Sequence, residues 1–284
     1  TDSIFDFELT SDPLDASVTG NFNPDSLEQI LSSMMRKYFG LQDTAGILPG
    51  THLAFSLDLH LPENLKKFIS DEFDISDRVN MKGSYTGDDN ALDIEMRIPS
   101  VSFGAAKLDT LYMLIKGKDQ VLDLDFDFRT ISYDTISISN FNINQTVNSG
   151  RLISSIKIAG NRESPKFLFS NQIIYTDTSL KISFLPDGLI LDDKPWKIFE
   201  DNYLQISKEK MDMHNFTFSR DNQSFGLAAV NGNTELVFRE FDLGNVFNIL
   251  DLTDDIDLLK GKLDGTATFD KQKDRKSTRL NSSH

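Results

Sequence analysis

The chain contains no cysteine, which excludes disulfides, thiol nucleophiles and thiolate metal ligands. Basic residues are also scarce, because 29 Lys and Arg stand against 44 Asp and Glu and leave a net charge of −15. A surface this acidic repels phosphate backbones, so we expect no nucleic-acid partner. No apolar run approaches the roughly 20 residues that a transmembrane helix needs. These absences favour a soluble, non-nucleic-acid-binding segment.

Motifs of catalytic and cofactor sites are lacking as well. The sequence has no phosphate loop, nucleophile elbow or dinucleotide fingerprint, and its four histidines lack the spacing of a metal site. Asp123, Asp125 and Asp127 project from one face of a strand, where they could bind calcium. Calcium sites usually wrap a loop that contains glycine and a bidentate Glu, so a solvated strand face is favoured. We therefore predict no enzyme, no cofactor and no metal.

What the chain has is regular alternation of apolar and polar residues. Alternation with a period of two is typical of half-buried strands, and it is clearest in 53–61, 92–98 and 122–128. Helices are few, and the best one spans about residues 24–39, from Pro24 in its first turn to Gly40 at its end. We predict a mainly β fold with an elongated antiparallel sheet and a few short helices.

The apolar faces of these strands allow two arrangements. They can close on each other in a sandwich core, or they can line one curved sheet and form an apolar trough. Periodicity alone favours the closed core, since antiparallel sheets normally bury one face. The candidates for the inward face are Leu53, Phe55, Leu57, Leu59, Leu61, Leu92, Ile94, Met96, Leu122, Leu124, Phe126 and Phe128.

A unit made of a short helix and a glycine-containing strand occurs twice, at residues 63–87 and 245–265. The strand of the first copy opens Met81-Lys82-Gly83 and that of the second opens Leu259-Lys260-Gly261, and each has another glycine four residues on. An alternating strand precedes each copy. Recurring supersecondary units favour an elongated modular scaffold, because stacked neighbours can share a continuous core.

The two ends of the sequence suggest an internal fragment. Residues 274–284 look like the translation of a common sequencing adapter, and such scars are excluded from fold reasoning. The chain begins at Thr1 with no signal-like stretch. We expect residues 1–50 to be the end of a preceding unit and residues 51–273 to form one continuous β segment.

A series of segments in the second half resembles a known family. The series runs in this order: Leu180–Ile198 with the lone Trp196, Tyr203–Ile206, Phe216–Arg220, Leu236–Leu243 and Leu259–Gly265. This order resembles the TamB (translocation and assembly module) branch of the AsmA-like proteins, in the form found in Bacteroidetes-type bacteria. The resemblance is best over residues 180–270 and extends more weakly over 50–160.

The resemblance implies a taco-like curved sheet whose hydrophobic groove holds phospholipid acyl chains. It implies a non-enzymatic scaffold or conduit in the periplasm, with an inner-membrane anchor upstream of this segment. The function would be phospholipid transport to the outer membrane, assembly of outer-membrane proteins, or both, with a barrel of the BamA type as a further partner. The inward candidates then become the residues that line the lipid groove.

Two other classes of protein fit the same alternation. A secreted β-sandwich that serves as a binding or adhesion module would have a filled core. A β-rich carbohydrate enzyme would need two carboxylates facing each other across a cleft, and such a pair cannot be recognised among 44 acidic residues from sequence.

Overall fold

A computed structural model describes residues 4–40, 50–159, 165–176, 178–208, 211–230, 233–248, 251–252 and 261–269. The predicted fold class is confirmed, because the chain is mainly β, with large antiparallel sheets and few helices. The residues form two compact units, 1–152 and 153–284, and the continuous segment from 51 to 273 stays a prediction. The adapter-like residues 274–284 lie outside the described part of the chain.

The elements of the first unit follow the alternation of the sequence. They are β1 (Phe5–Thr10), β2 (Leu14–Asn21), a 3-10 turn (Pro24–Ser26), α1 (Leu27–Tyr38), β3 (His52–Leu59), α2 (Glu63–Ile69), β4 (Phe73–Ile75), β5 (Val79–Thr86), β6 (Ala91–Ile98), β7 (Val101–Phe103), β8 (Ala106–Lys118), β9 (Val121–Tyr133) and β10 (Ile136–Asn148). None of the helices in the described ranges is long and apolar enough to cross a membrane.

The main sheet of the first unit is an antiparallel meander. Its strands pair in the order β1, β2, β3, β5, β6, β8, β9 and β10. β4 and β7 pair beside it. Within residues 1–50, β1 and β2 belong to this sheet, because β2 pairs with β3 along its whole length. That residues 1–50 end a preceding unit stays a prediction.

Helix α1 starts and ends where the sequence indicates. The Asn23 side chain accepts a hydrogen bond from the Asp25 backbone at 3.1 Å, which caps the turn that leads into the helix. Ile30, Met34 and Tyr38 are buried at four-residue spacing, so one face of α1 packs on the sheet. This helix supplies the cover for one edge of the sheet's apolar face.

A buried polar network fixes the end of α1. The Tyr38 hydroxyl donates to the Asn90 carbonyl at 2.6 Å, and the Tyr85 hydroxyl donates to the Asn90 side chain at 3.1 Å. The Asn90 amide donates in turn to the Asp119 carbonyl at 3.1 Å. Burial raises the pKa of the Tyr38 hydroxyl well above its usual range. Asn90 has a φ of 50°, a left-handed conformation that Asn tolerates better than most residues.

The duplicated unit has the same pairing in both copies. β3 and β5 flank α2 and pair antiparallel, and β20 (Asn233–Asp242) and β22 (Lys262–Phe269) flank α3 (Gly244–Phe247) and pair antiparallel. In each pair a phenylalanine lies opposite a glycine: Phe55 faces Gly83, the first glycine of its copy, and Phe238 faces Gly265, the second glycine of its copy. Residues 249–250 and 253–260 of the second copy lie outside the described residues, so the full repeat stays a prediction.

The second unit contains shorter strands in two sets. Its remaining elements are β11 (Arg151–Ala159), β12 (Pro165–Tyr175), β13 (Ser179–Leu191), β14 (Lys194–Pro195), β15 (Lys197–Ile198), β16 (Tyr203–Ser207), β17 (Met211–His214), β18 (Thr217–Arg220), β19 (Gln223–Val230) and β21 (Asp251–Leu252). β12, β13, β16 and β17 pair in that order. β15, β18, β19, β20 and β22 form a five-stranded sheet.

An aromatic cluster forms the core of the second unit. Trp196 is only 2% exposed and packs edge-on against Phe225, with ring centroids 5.3 Å apart. Phe184, Phe218 and Phe241 are also buried in this cluster. Trp196 is thus a packing anchor at a strand end, the role that its position in the sequence favours.

Candidate functional site

The strand register places the inward candidates of β3, β6 and β9 on one face of the first unit's sheet, which we call the apolar face. Leu53 lies opposite Tyr85, and Tyr85 lies opposite Leu92, so β3 and β6 present the same face through β5. Leu122 joins the same row through Gly117 of β8. Leu61 is the exception, because β3 ends at Leu59.

One row of the apolar face, the covered row, lies under α1. Leu53 is 7% exposed, Leu92 6% and Leu122 2%, and all three belong to one hydrophobic cluster with the buried face of α1. These three candidates contact the protein's own helix. The next row, which contains Phe55, Ile94 and Leu124, packs against the margin of the same cluster.

Two further rows, the half-buried rows, continue the apolar face away from the cluster under α1. From β2 to β10 their side chains are intermediate in exposure, and Leu9, which continues the first row on β1 opposite Ala16, is 40% exposed. The first row runs across Ala16, Leu57, Met81, Met96, Met113, Phe126 and Ile143. The second consists of Leu14, Leu59 and Val79, and of Ile98, Leu111, Phe128 and Phe141. A sealed core would bury such residues more deeply.

Three methionines occupy the centre of the half-buried rows. Met81, Met96 and Met113 lie directly opposite one another on β5, β6 and β8. Methionine is unbranched and polarisable, so it adapts to irregular apolar partners and recurs on surfaces that bind varied hydrophobic ligands. Only Met96 was a candidate from the sequence. The signal for Met113 was the weaker alternation in β8, where Leu111, Met113 and Ile115 alternate with Tyr112 and Leu114.

β8 shows why sequence reasoning missed part of the site. Tyr112 and Leu114 are 48% and 36% exposed on the opposite face of the sheet. Since both faces of this strand carry apolar side chains, its period of two is masked. Only its pairing with β6 and β9 therefore identifies β8 as a strand and places Leu111, Met113 and Ile115 on the apolar face.

The opposite face of the sheet is mostly polar, apart from Tyr112 and Leu114, and its polar side chains form ion pairs and hydrogen bonds with one another. Lys82 and Glu95, neighbours on β5 and β6, form an ion pair of 2.9 Å. The carboxylates of Asp125 and Asp127 both accept hydrogen bonds from the Asn142 amide, at 2.7 and 2.8 Å. The three aspartates of β9 thus accept hydrogen bonds from neutral donors, since Asp123 accepts from the Thr146 hydroxyl. Across the described ranges no group of three or more His, Asp or Glu side chains is arranged to hold a metal ion.

The two faces therefore differ in what they can do chemically. The polar face includes a hollow of about 500 Å³ whose walls carry side chains of both signs, among them Asp58, Lys82, Glu95 and Arg97. The apolar face offers no titratable side chain in its half-buried rows. A surface of this composition interacts with a ligand by shape and by removal of apolar area from water.

Comparison with known proteins adds no family to this description. No family model, curated protein or solved structure matches the chain. The resemblance to the TamB and AsmA-like proteins therefore stays an expectation.

Proposed function

We propose that this chain is a non-enzymatic segment of a lipid conduit, in which the apolar face of the first unit shields phospholipid acyl chains from water. The observation that carries the proposal is that two rows across seven strands are wholly apolar and lie outside the cluster that α1 covers. Apolar side chains that the protein leaves partly uncovered can contact a mobile hydrocarbon ligand. The polar, hydrogen-bonded opposite face would remain in water.

The dimensions of the apolar face suit this ligand. The first half-buried row crosses from β2 to β10, a path of about 29 Å at the usual strand spacing of about 4.8 Å. One leaflet of a bilayer contributes roughly 15 Å of hydrocarbon. A row is therefore long enough for the whole length of an acyl chain, laid across the strands.

The energetics also favour hydrocarbon over a polar cargo. Each shielded methylene contributes about 0.8 kcal/mol, so about eight methylenes contribute roughly 6 kcal/mol, before the cost of ordering the lipid. The acidic charge of the chain disfavours anionic partners at long range. A zwitterionic headgroup, kept in solvent, would be little affected.

The biological setting forms part of the proposal. A conduit of this kind agrees with the periplasmic role that the TamB and AsmA-like resemblance implies, with transport of phospholipid toward the outer membrane. An outer-membrane barrel of the BamA type is the protein partner implied by the same resemblance. The cluster under α1 would close one margin of the apolar face, so lipid would contact only the rows beyond it.

Replacing Phe126 by glutamate tests the proposal directly. Phe126 lies between Met113 and Ile143 in a half-buried row, and a carboxylate there would have to be desolvated by a bound acyl chain. We expect the affinity for a fluorescent phosphatidylcholine to fall at least about tenfold, equivalent to 1.4 kcal/mol. Photo-crosslinking from position 113 to the same lipid should fall in parallel.

The matched control is Tyr112→Glu, an aromatic-to-glutamate change on the opposite face of the neighbouring strand. Tyr112 is 48% exposed and lies between Arg97, which can pair with the new carboxylate, and Asp127, which repels it. This variant should bind lipid like the parent chain. Equal lipid binding by folded Phe126→Glu and Tyr112→Glu chains would contradict the conduit.

A further inference from the structure

Helix α2 buries a charged residue and exposes apolar ones. Lys66 is 8% exposed, whereas Phe68 is 89% exposed, Ile69 57% and Leu65 40%. The Lys66 ammonium is held by the carboxylate of Asp74 on β4, at 2.8 Å, so this side of the helix faces the protein. A surface helix normally turns its apolar side to the core. The reversed orientation of α2 leaves its apolar side free for a partner.

Three turns of the first unit meet at the end of the sheet that follows α2. They are residues 70–73, 103–106 and 133–136. The Gly104 N–H donates to the Glu72 carbonyl at 3.1 Å, and the Asp134 N–H donates to the Ala105 carbonyl at 3.1 Å. These two hydrogen bonds join the three turns into one surface.

Large apolar side chains project from this surface. Phe103 lies opposite Ala106, and Ala106 lies opposite Tyr133. Tyr133 in turn lies opposite Ile136. Phe103 is 56% exposed, Tyr133 66% and Ile136 38%. With the apolar side of α2, which ends directly before the first turn, they form what we call the tip patch: Leu65, Phe68, Ile69, Phe103, Tyr133 and Ile136. Exposed apolar patches of this kind mark interaction surfaces.

Charged side chains of both signs surround the tip patch. The acidic ones are Asp71, Glu72 and Asp134, and the basic ones are Lys67 and Lys107. All five are exposed, and none of them forms an ion pair with another residue that the structure describes. On the polar face of the sheet, by contrast, such groups pair with one another. The tip patch therefore lies among unpaired carboxylates and ammonium groups.

This arrangement is complementary in charge to the surface of a zwitterionic bilayer. The headgroups of such a bilayer present ammonium groups to the free carboxylates and phosphates to the free lysines. Aromatic side chains are favoured at the boundary between headgroups and acyl chains. The chain's net charge of −15 disfavours an anionic bilayer.

The backbone of the tip is also suited to contact with lipid. Backbone N–H and C=O groups that enter lipid need hydrogen-bond partners, because the acyl region supplies none. The bonds from Gly104 to Glu72 and from Asp134 to Ala105 already pair the groups that join the turns. The turns can therefore approach the acyl boundary without breaking these bonds.

We propose that the tip patch docks this chain on the surface of a zwitterionic phospholipid bilayer. Phe68, Phe103 and Tyr133 insert among the headgroups, the lysines beside them meet phosphates, and the carboxylates meet ammonium groups. None of the residues of the tip patch belongs to the half-buried rows. The inference thus goes beyond the conduit and does not depend on it.

Flotation with phosphatidylcholine vesicles measures the docking. The parent chain should float with the vesicles. Phe103→Ser combined with Tyr133→Ser should lower its partition at least about tenfold, because two apolar side chains no longer leave water. The matched control combines Phe269→Ser with Tyr175→Ser, the same two changes at residues that are 52% and 63% exposed in the second unit. This control should float like the parent chain.

Quenching by brominated lipid locates the contact. In Phe103→Trp the added emission should be lost on vesicles of dibrominated phosphatidylcholine and kept on unbrominated ones. In Tyr112→Trp, at a 48% exposed position on the polar face, the emission should be the same on both. The native Trp196 is 2% exposed and supplies a constant background.

Five results would overturn the proposal. The first two are a parent chain that does not float, and equal partition of the two double variants. The next two are equal quenching of Phe103→Trp and Tyr112→Trp, and tighter binding to phosphatidylglycerol than to phosphatidylcholine vesicles. The fifth is a lipid-free dimer in sedimentation that Phe103→Ser with Tyr133→Ser abolishes, which would assign the tip patch to a second copy of the chain.

Flotation of the parent chain needs no variant, so a folding defect in a variant leaves the test intact. Binding of single lipids to the apolar face is measured separately, and its failure would not affect the flotation result.

Discussion

Gly117→Ala is expected to destabilise the first unit by about 3 kcal/mol, although it adds one methyl group. A Cβ atom at this position would lie 2.0 Å from the Tyr38 hydroxyl oxygen and 2.5 Å from the ring carbon that carries it. Tyr38 is fully buried and cannot swing into solvent. The ring must therefore move off the sheet, which breaks its hydrogen bond to the Asn90 carbonyl and leaves that buried acceptor unpaired.

The measurement is urea-induced unfolding followed by far-ultraviolet circular dichroism. The control is Gly244→Ala, where the new Cβ would lie 3.2 Å from the flexible Asp242 carboxylate and 3.8 Å from the Asn248 amide nitrogen, and the expected change is within about 0.5 kcal/mol. A double-mutant cycle isolates the clash. In a Tyr38→Ala background, Gly117→Ala should cost less than about 1 kcal/mol. The same cost in both backgrounds would show that the clash is not the cause.

Asn202→Leu is expected to destabilise the second unit by about 3–5 kcal/mol. Asn202 is 3% exposed, and its side-chain amide replaces a missing strand partner for Phe184. Its oxygen accepts from the Phe184 N–H at 2.7 Å, and its nitrogen donates to the carbonyls of Phe184 and Phe199 at 2.9 and 2.6 Å. Leucine has similar volume but satisfies none of these buried backbone groups.

Trp196 reports this loss, because it lies in the same aromatic cluster as Phe184. The urea midpoint of its emission shift should fall sharply in Asn202→Leu. Asn248→Leu, at an exposed position after α3, should leave it nearly unchanged. A normal midpoint in the Asn202 variant would mean that water or a neighbouring group replaces the amide.

Much of the local structure could be predicted from short-range patterns. Helix α1 runs to Tyr38 as its capping and spacing indicate, and β6 ends at Ile98, directly before Pro99. The alternation of β9 holds as far as Phe128 and is interrupted at Arg129, which has no partner in either neighbouring ladder, and both Thr110 and Asn140 beside it have positive φ. Such features depend on a few neighbouring residues, so the sequence carries them directly.

The partition of the apolar residues could not be predicted in the same way. Leu53 and Leu57 have the same period and the same chemistry, yet Leu53 lies under α1 and Leu57 lies in a half-buried row. The difference in their burial depends on where helix α1, residues 27–38, packs on a sheet that is built mostly from residues later in the chain. Alternation states which face a side chain points to, and it contains no information on what covers that face.

An apolar cavity of the second unit, whose lining includes Phe169, Asn171, Phe184 and Leu189, also separates what strand alternation predicts from what contacts between distant residues decide. The sequence by itself determined that Phe169 and Asn171 share a strand face, that the fold is mainly β, and that the chain lacks the residues for thiol chemistry. Only the tertiary structure decided that four residues of β13 would bulge opposite Ser170 and bring Phe184 and Leu189 to one hollow. Strand period is a property of the local backbone, whereas register and cover arise from contacts between residues distant in the chain, and these select among faces that are locally equivalent.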